Sequence, residues 1–105
     1  MGPRRRKVVW NREARSTLEE IGAYIARDSL TAAQKILNQA LEAAASLSEM
    51  AERGRIVPEL EIHTIREIIV GRYRMVYEVR EKRVEILALI HGARDFAKWR
   101  ADDRS

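Results

Sequence analysis

The fold is decided by residues Ile65 to Asp95, which read IREIIVGRYRMVYEVREKRVEILALIHGARD. Three short runs rich in β-branched residues are joined there by tight connections, and we expect them to form an antiparallel meander. The middle run alternates between apolar and polar side chains, which is the pattern of a half-buried strand. Its apolar positions are Tyr73, Met75, Tyr77 and Val79, and its polar positions are Arg72, Arg74, Glu78 and Arg80.

The last run, from Val84 to Ile90, is apolar at nearly every position. Strict alternation would place Val84, Ile86, Ala88 and Ile90 on one face of the strand and Leu87 and Leu89 on the other. A strand that is apolar on both faces needs a cover on each side. Helices can supply one cover, and the pattern alone does not say what supplies the second.

The amino-terminal half predicts a short strand and a first helix. Lys7 to Trp10 forms the strand, and Asn11 is expected to cap the helix, because its side-chain oxygen can accept from the free amides of the first turn. Three apolar residues recur at helical spacing and are predicted to belong to the core, namely Ala14, Leu18 and Ile21.

A second helix is expected to pack antiparallel to the first. The dipeptide Asp28-Ser29 breaks and restarts the helix, since short oxygen-bearing side chains compete for backbone amides. The second helix should run from about Thr31 to Arg53 and end at Gly54 in a left-handed conformation. Val57-Pro58 disfavours helix, and residues 59–63 should be loop. The predicted fold class is therefore α+β, an antiparallel sheet built from one strand and a three-strand meander, with a two-helix hairpin on one face.

Composition limits the class of protein but not its partner. A chain of 105 residues that is 46% hydrophobic should form one domain, residues 1–105. The lack of cysteine excludes a disulfide framework, and without a signal peptide or an apolar run near ~18 residues we expect a cytoplasmic protein that does not enter a membrane. A net charge of +4, from 20 basic and 16 acidic residues, suits a nucleic acid or an acidic protein equally well.

Two histidines are candidates for chemistry. His91 ends the last strand, where it could act as a general acid or base or simply satisfy a local backbone hydrogen bond. His63 lies close to Glu59 and Glu61, but a chain without cysteine or helical ligand spacing offers a poor metal site there. We therefore expect neither a metal nor a cofactor.

Four arginines form the more informative set, Arg66, Arg72, Arg74 and Arg80. Alternate positions on adjacent strands would place their guanidinium groups on one sheet face, where they could bind phosphate or carboxylate. The alternative is a solvated surface with cross-strand carboxylate partners, Glu67, Glu78 and Glu85. Apolar residues between the arginines favour a groove covered by a partner helix, and these are Val76, Leu87 and Leu89.

With these elements in place, the chain resembles the RelE/ParE superfamily of toxins from type II toxin-antitoxin operons, and its ParE-like branch in particular. The resemblance covers nearly the whole chain. It is carried by the order of strand, two helices and three strands and by two groups of residues: Gly71, Tyr73, Arg74, Val76 and Tyr77 in GRYRMVY, and Val84, Glu85, Ile86, His91 and Asp95 in the final strand and its exit.

One activity that the resemblance implies is that of RelE-like members, which cut messenger RNA in the ribosomal decoding site. The ribose 2′-hydroxyl attacks the neighbouring phosphate, and basic residues stabilise the developing charge. A ribonuclease of this kind would use Arg66, Arg74, His91 and Arg94. The pattern is incomplete, because those enzymes usually carry lysines on the strand before GRYR, where this chain has Glu67, Ile68 and Ile69.

The ParE-like branch implies a different function. Its members poison DNA gyrase by stabilising the cleaved-DNA state, so they need a binding surface and no catalytic residues, and we expect no sequence-specific DNA binding by the chain alone. A ParD-like antitoxin would fold its disordered segment onto the toxin, with contacts at Arg72, Arg74, Val76, Leu87 and Leu89. We expect the gyrase poison, with the ribosome-dependent ribonuclease as the alternative and a nontoxic binding module as the third hypothesis.

Overall fold

The computed structural model describes residues 5–92. Two helices and five strands occur in this part of the chain: β1 (Lys7–Trp10), α1 (Arg12–Ala26), α2 (Leu30–Ser46), β2 (Arg55–Ile56), β3 (Ile65–Val70), β4 (Tyr73–Val79) and β5 (Arg83–His91). The strands form one sheet in the order β1-β5-β4-β3-β2, and the helical hairpin packs on one face. The predicted α+β class is confirmed. In this described part, neither helix has the length and apolar character of a membrane span.

The sheet is mixed, which corrects the prediction of a purely antiparallel one. The pairs β2–β3, β3–β4 and β4–β5 are antiparallel, but β1 runs parallel to β5, with Lys7 opposite Arg83 and Trp10 opposite Ile86. The two-residue strand β2 was not expected either. Side-chain alternation is the same in both strand directions, so the pattern of residues could not reveal the direction of β1.

The helix starts follow the sequence closely. The side chain of Asn11 accepts from the amide of Ala14 at 2.8 Å, and that of Ser29 accepts from the amide of Ala32 at 3.1 Å. These two caps satisfy amides that have no partner within the helix. Ala14 and Leu18 are buried in the core and Ile21 packs against it, as expected.

The end of α2 differs from the prediction. The helix stops at Ser46, well before Arg53, and the Ser46 hydroxyl donates to the carbonyl of Ala43 at 2.6 Å. Such a bond offers the backbone an alternative to further helix. Gly54 does not have a positive φ, so it is no left-handed cap. A Cβ at Gly54 would lie 2.5 Å from both the Glu67 carbonyl oxygen and the Tyr77 hydroxyl, and close approach explains the glycine.

The main core lies between the helices and the sheet and is centred on β4. Met75 and Tyr77 are fully buried in it. The Tyr77 hydroxyl donates to the carbonyl of Ala51 at 2.8 Å and accepts from the amide of Gly54 at 2.9 Å. Burial raises the pKa of Tyr77, which keeps the hydroxyl protonated as a donor. One side chain thus fixes the connection between α2 and β2.

A bulge in β5 changes the predicted faces of that strand. Tyr77 lies opposite Ile86 and Val76 lies opposite Ala88, so Leu87 is an extra residue with no opposite partner. An extra residue reverses the alternation beyond it. Residues on the helix side are therefore Val84, Ile86 and Leu89, and those on the other side are Ala88 and Ile90. The prediction that Ala88 and Ile90 share a face with Val84 and Ile86 was wrong.

The second face of the sheet is covered by the chain itself, by residues 57–64, which we call the strap. Val57 and Leu60 of the strap pack with Val76, Ala88 and Ile90 in a second apolar cluster. The amide of Val57 donates to the carbonyl of Ile65 at 3.2 Å, which closes the strap onto the start of β3. We expected a partner helix to cover these apolar side chains, and this was wrong over this region because the strap covers them. The strap was not predicted, since its residues show no periodic apolar pattern.

Candidate functional site

The arginines do not gather on one face of the sheet, contrary to expectation. Arg66 lies opposite Tyr77 and so shares the helix side, where its guanidinium donates to the carbonyl of Gly54 at 2.7 Å. Arg74 lies opposite Ile90 and shares the strap side. Arg72 is exposed in the β3–β4 turn. Arg80 is exposed and pairs at 2.8 Å with Glu78, which is two residues earlier in the same segment and not on a neighbouring strand.

Arg74 is the centre of an ionic network in which Arg74 and Glu67 are buried and Glu59 and Arg55 are exposed. Its Nε donates to Glu67 at 2.6 Å, and its two terminal nitrogens reach the two carboxylate oxygens of Glu59 at 2.9 and 2.8 Å. The other oxygen of Glu67 accepts from Nε of Arg55 at 2.6 Å. Only 7% of the Arg74 side chain and 1% of the Glu67 side chain are exposed. The bidentate pair between Arg74 and Glu59 fastens the strap to the sheet.

The charges of this network reinforce one another. The hydrogen bond from Arg74 lowers the pKa of Glu59, and the hydrogen bond to Glu59 raises the pKa of Arg74. Both groups therefore remain charged near neutral pH. A guanidinium already held by two carboxylates has little attraction left for a phosphate, so Arg74 in this arrangement serves the fold.

His91, at the end of β5, is exposed, and its ring meets the ring of Tyr73 edge to face at 5.3 Å between centroids. The fourth candidate of the ribonuclease hypothesis, Arg94, lies outside the described residues. His63 is exposed in the strap, and within residues 5–92 no group of three or more potential ligands could hold a metal ion. Of the three ribonuclease candidates within residues 5–92, Arg66 and Arg74 lie on opposite sides of the sheet.

The predicted antitoxin contacts differ widely in accessibility. Arg72 is exposed and Leu87 is half-buried. The other three are buried: Arg74, Val76 and Leu89 are 6%, 0% and 7% exposed. A partner can reach Val76 only if the strap moves, because Val57 and Leu60 pack against the same cluster. A role in antitoxin binding remains a prediction for all five.

An open pocket that the sequence did not predict lies between the strap and the β3–β4 turn, with a volume of about 350 Å³. Its lining includes Ile69, which is 66% exposed, and two exposed arginines, Arg55 and Arg72. In the sequence, only the run Ile68-Ile69-Val70 indicated an exposed apolar residue here, since consecutive apolar residues in a strand cannot all face one core. A second pocket of about 300 Å³ lies where Trp10 meets the helices.

Comparisons with known proteins agree with this architecture. In a solved structure of the chromosomal ParDE toxin-antitoxin system from P. aeruginosa, one chain matches this one with a TM-score of 0.69 and 21% sequence identity, over 85% of this chain and 98% of that chain. This similarity shows that the two proteins share a fold.

Sequence similarity identifies the family. "Toxin RelE2" of Caulobacter vibrioides is 37% identical over 89 residues, which are 84% of this chain and 97% of the relative. "Putative toxin Y4kP" of Sinorhizobium fredii is 32% identical over 89 residues, 84% of this chain and 90% of the relative. Residues 8–96 match the family described as ParE toxin of type II toxin-antitoxin system, parDE. The chain belongs to this family of type II toxins.

Proposed function

We propose that this toxin arrests growth by poisoning DNA gyrase in the cytoplasm and that an antitoxin of the ParD type neutralises it. The observation that carries this proposal is the state of Arg74. A ribonuclease of the RelE type would use this arginine on phosphate, but here Arg74 is buried and its guanidinium is held by Glu59 and Glu67. Arg66, another candidate phosphate ligand of that hypothesis, lies on the opposite side of the sheet. A binding surface fits this arrangement better than charge stabilisation at a reacting phosphate.

The ribosome-dependent ribonuclease is the second candidate function. One observation favours it: a relative with 37% identity carries the name RelE2. This alternative requires His91 and Arg94 to act without the two strand arginines, or Arg74 to leave its carboxylate partners when RNA binds. A nontoxic binding module is the third candidate, and it predicts normal growth when the folded chain is expressed without antitoxin.

Two assays in parallel test these candidates. The purified chain is incubated with gyrase, ATP and supercoiled plasmid, and protein is then denatured to reveal broken DNA. The same preparation is added to translating ribosomes, and the message is examined for truncation. We expect linear plasmid and intact message. Cut message with intact plasmid would overturn the proposal in favour of the ribonuclease.

The substitution His91→Ala separates the two activities further. His91 is exposed, so its loss should leave the fold intact. A ribonuclease that transfers a proton through His91 would lose roughly 10²–10⁴-fold in cleavage rate, whereas gyrase poisoning should persist. Arg80→Ala is a matched control, because Arg80 is an exposed residue whose side-chain pair with Glu78 is local.

A further inference from the structure

The pocket beside the strap is lined by an exposed aliphatic side chain, Ile69, and by exposed arginines. Ile69 projects from the strap side of β3 with 66% of its surface exposed, and the exposed Pro58 lines the same pocket. A large apolar side chain on an otherwise covered sheet face is a site where a partner can exclude water. Pocket and exposure together indicate a docking point for one aliphatic side chain.

The charges around Ile69 determine what kind of partner fits. Glu59 and Glu67 are already engaged by Arg74, and Glu67 also accepts from Arg55. The Arg55 side chain is nevertheless 66% exposed. Arg72 is exposed and makes no ion pair with any residue in the range 5–92. Three arginines against two carboxylates leave an excess of positive charge at the border, which favours a partner that brings carboxylates.

We propose that this Ile69 pocket binds an acidic, aliphatic peptide segment of a protein partner. An aliphatic side chain of the segment packs on Ile69 and Pro58, and flanking carboxylates pair with Arg72 and Arg55. The inference rests on the proposed function, because the neutralising antitoxin is the partner whose segment would occupy the pocket. The antitoxin would then contact the Ile69 pocket, which is accessible with the strap in place, and not Val76 and Leu89, which are buried.

Direct binding to the full chain tests the inference. The probes are fluorescent peptides of equal length in which leucine alternates with glutamate, with glutamine or with lysine. The glutamate peptide should bind, and the glutamine peptide should bind about tenfold more weakly, because charge-assisted hydrogen bonds are lost. The lysine peptide should not bind. Affinity for the glutamate peptide should fall as salt is raised.

Two substitutions locate the site. Arg72→Gln and Ile69→Ser should each weaken the glutamate peptide by about tenfold, the first through a lost charge and the second through lost apolar contact. Their matched controls are Arg12→Gln and Leu41→Ser, which change exposed residues on the helices and should leave binding unchanged. Far-ultraviolet circular dichroism and urea midpoints verify that every variant is folded.

Several outcomes would overturn the inference. These are absent binding of the glutamate peptide to folded protein, equal binding of the glutamine peptide, or equal losses in the control variants.

Self-association of the chain that Ile69→Ser abolishes would instead assign the pocket to a second copy. Tighter peptide binding after Asp102→Asn and Asp103→Asn would assign it to the chain's own end. Peptide binding without gyrase poisoning would contradict only the proposed function, and poisoning without peptide binding would contradict only this inference.

Discussion

Arg74 and Glu67 are two opposite charges that the fold removes from water together. A buried pair can be neutral for stability as a whole, but the loss of one member leaves the other charge without compensation. We predict that Arg74→Ala lowers the free energy of unfolding by about 3–5 kcal/mol in urea denaturation. Arg80→Ala, which breaks an exposed pair, should cost less than about 1 kcal/mol. Similar losses in the two variants would show that the Arg74 network does not stabilise the fold.

Tyr77 offers a second test on single residues. Tyr77→Phe removes the hydroxyl that bridges the carbonyl of Ala51 and the amide of Gly54, and it leaves both groups buried without that partner. We expect the free energy of unfolding to fall by about 1–3 kcal/mol. Tyr24→Phe is the control, since Tyr24 is 69% exposed and its loss of a hydroxyl should have little effect. Equal urea midpoints for the two variants would contradict the proposed bridge.

The strap depends on an ion pair and should therefore respond to acid. The folded-state pKa of Glu59 is lowered by its hydrogen bond to Arg74, so its contribution to stability is present above the ordinary value of 4.5 and is lost as pH falls through the folded value. We predict that the stability difference between the parent chain and Glu59→Gln is largest near neutral pH and shrinks below that ordinary value. Urea denaturation across this pH range measures it. A constant difference would mean that Glu59 acts through packing alone.

Some elements could be predicted from the sequence because their causes are local. Caps and apolar stripes placed both helices, and alternation placed β4 with Met75 and Tyr77 facing the helices. The prediction that β4 is half-buried was wrong, because Arg74 and Val76 on its other face are buried too. The bulge at Leu87 could not be predicted, because the residues from Ile86 to Ile90 are all apolar and are compatible with either register. The strap was missed for a related reason: Val57 and Leu60 become core residues only when the sheet they cover has formed. Arg74 was predicted to lie on the surface and is buried, because the strap that covers it was not predicted.

The candidate site could not be predicted from the sequence, because it depends on how distant parts of the whole molecule pack together. Of the four arginines predicted to lie on adjacent strands, Arg66 and Arg74 do so, and their faces depend on the pairing registers. The availability of Arg74 depends on Glu59, fifteen positions before it in the strap. Charge composition contained no information on which arginines are neutralised. The accessible residues Ile69 and Arg72 form a site only because the fold brings the strap next to the β3–β4 turn.

Stability should be unevenly distributed over the sheet. β4 lies between β3 and β5 and is covered on both faces, whereas β2 is a two-residue strand at the edge. We predict by hydrogen exchange with mass spectrometry that amides of β4 exchange far more slowly than those of Arg55 and Ile56. Equally slow exchange at the edge would show that the whole sheet opens as one unit. The amides of β1, which pairs over four residues with β5 alone, should exchange at rates between those of β4 and β2.

The pairing of Lys7–Trp10 with residues 83–86 also sets the timing of folding. Translation delivers residues 7–10 long before residues 83–86, so this edge of the sheet stays open until the later segment has been made. Contacts between residues so distant in sequence carry a high entropic cost of closure and slow the folding of a small domain. The nascent chain can therefore add β1 to the sheet only after residues 83–86 have been synthesised.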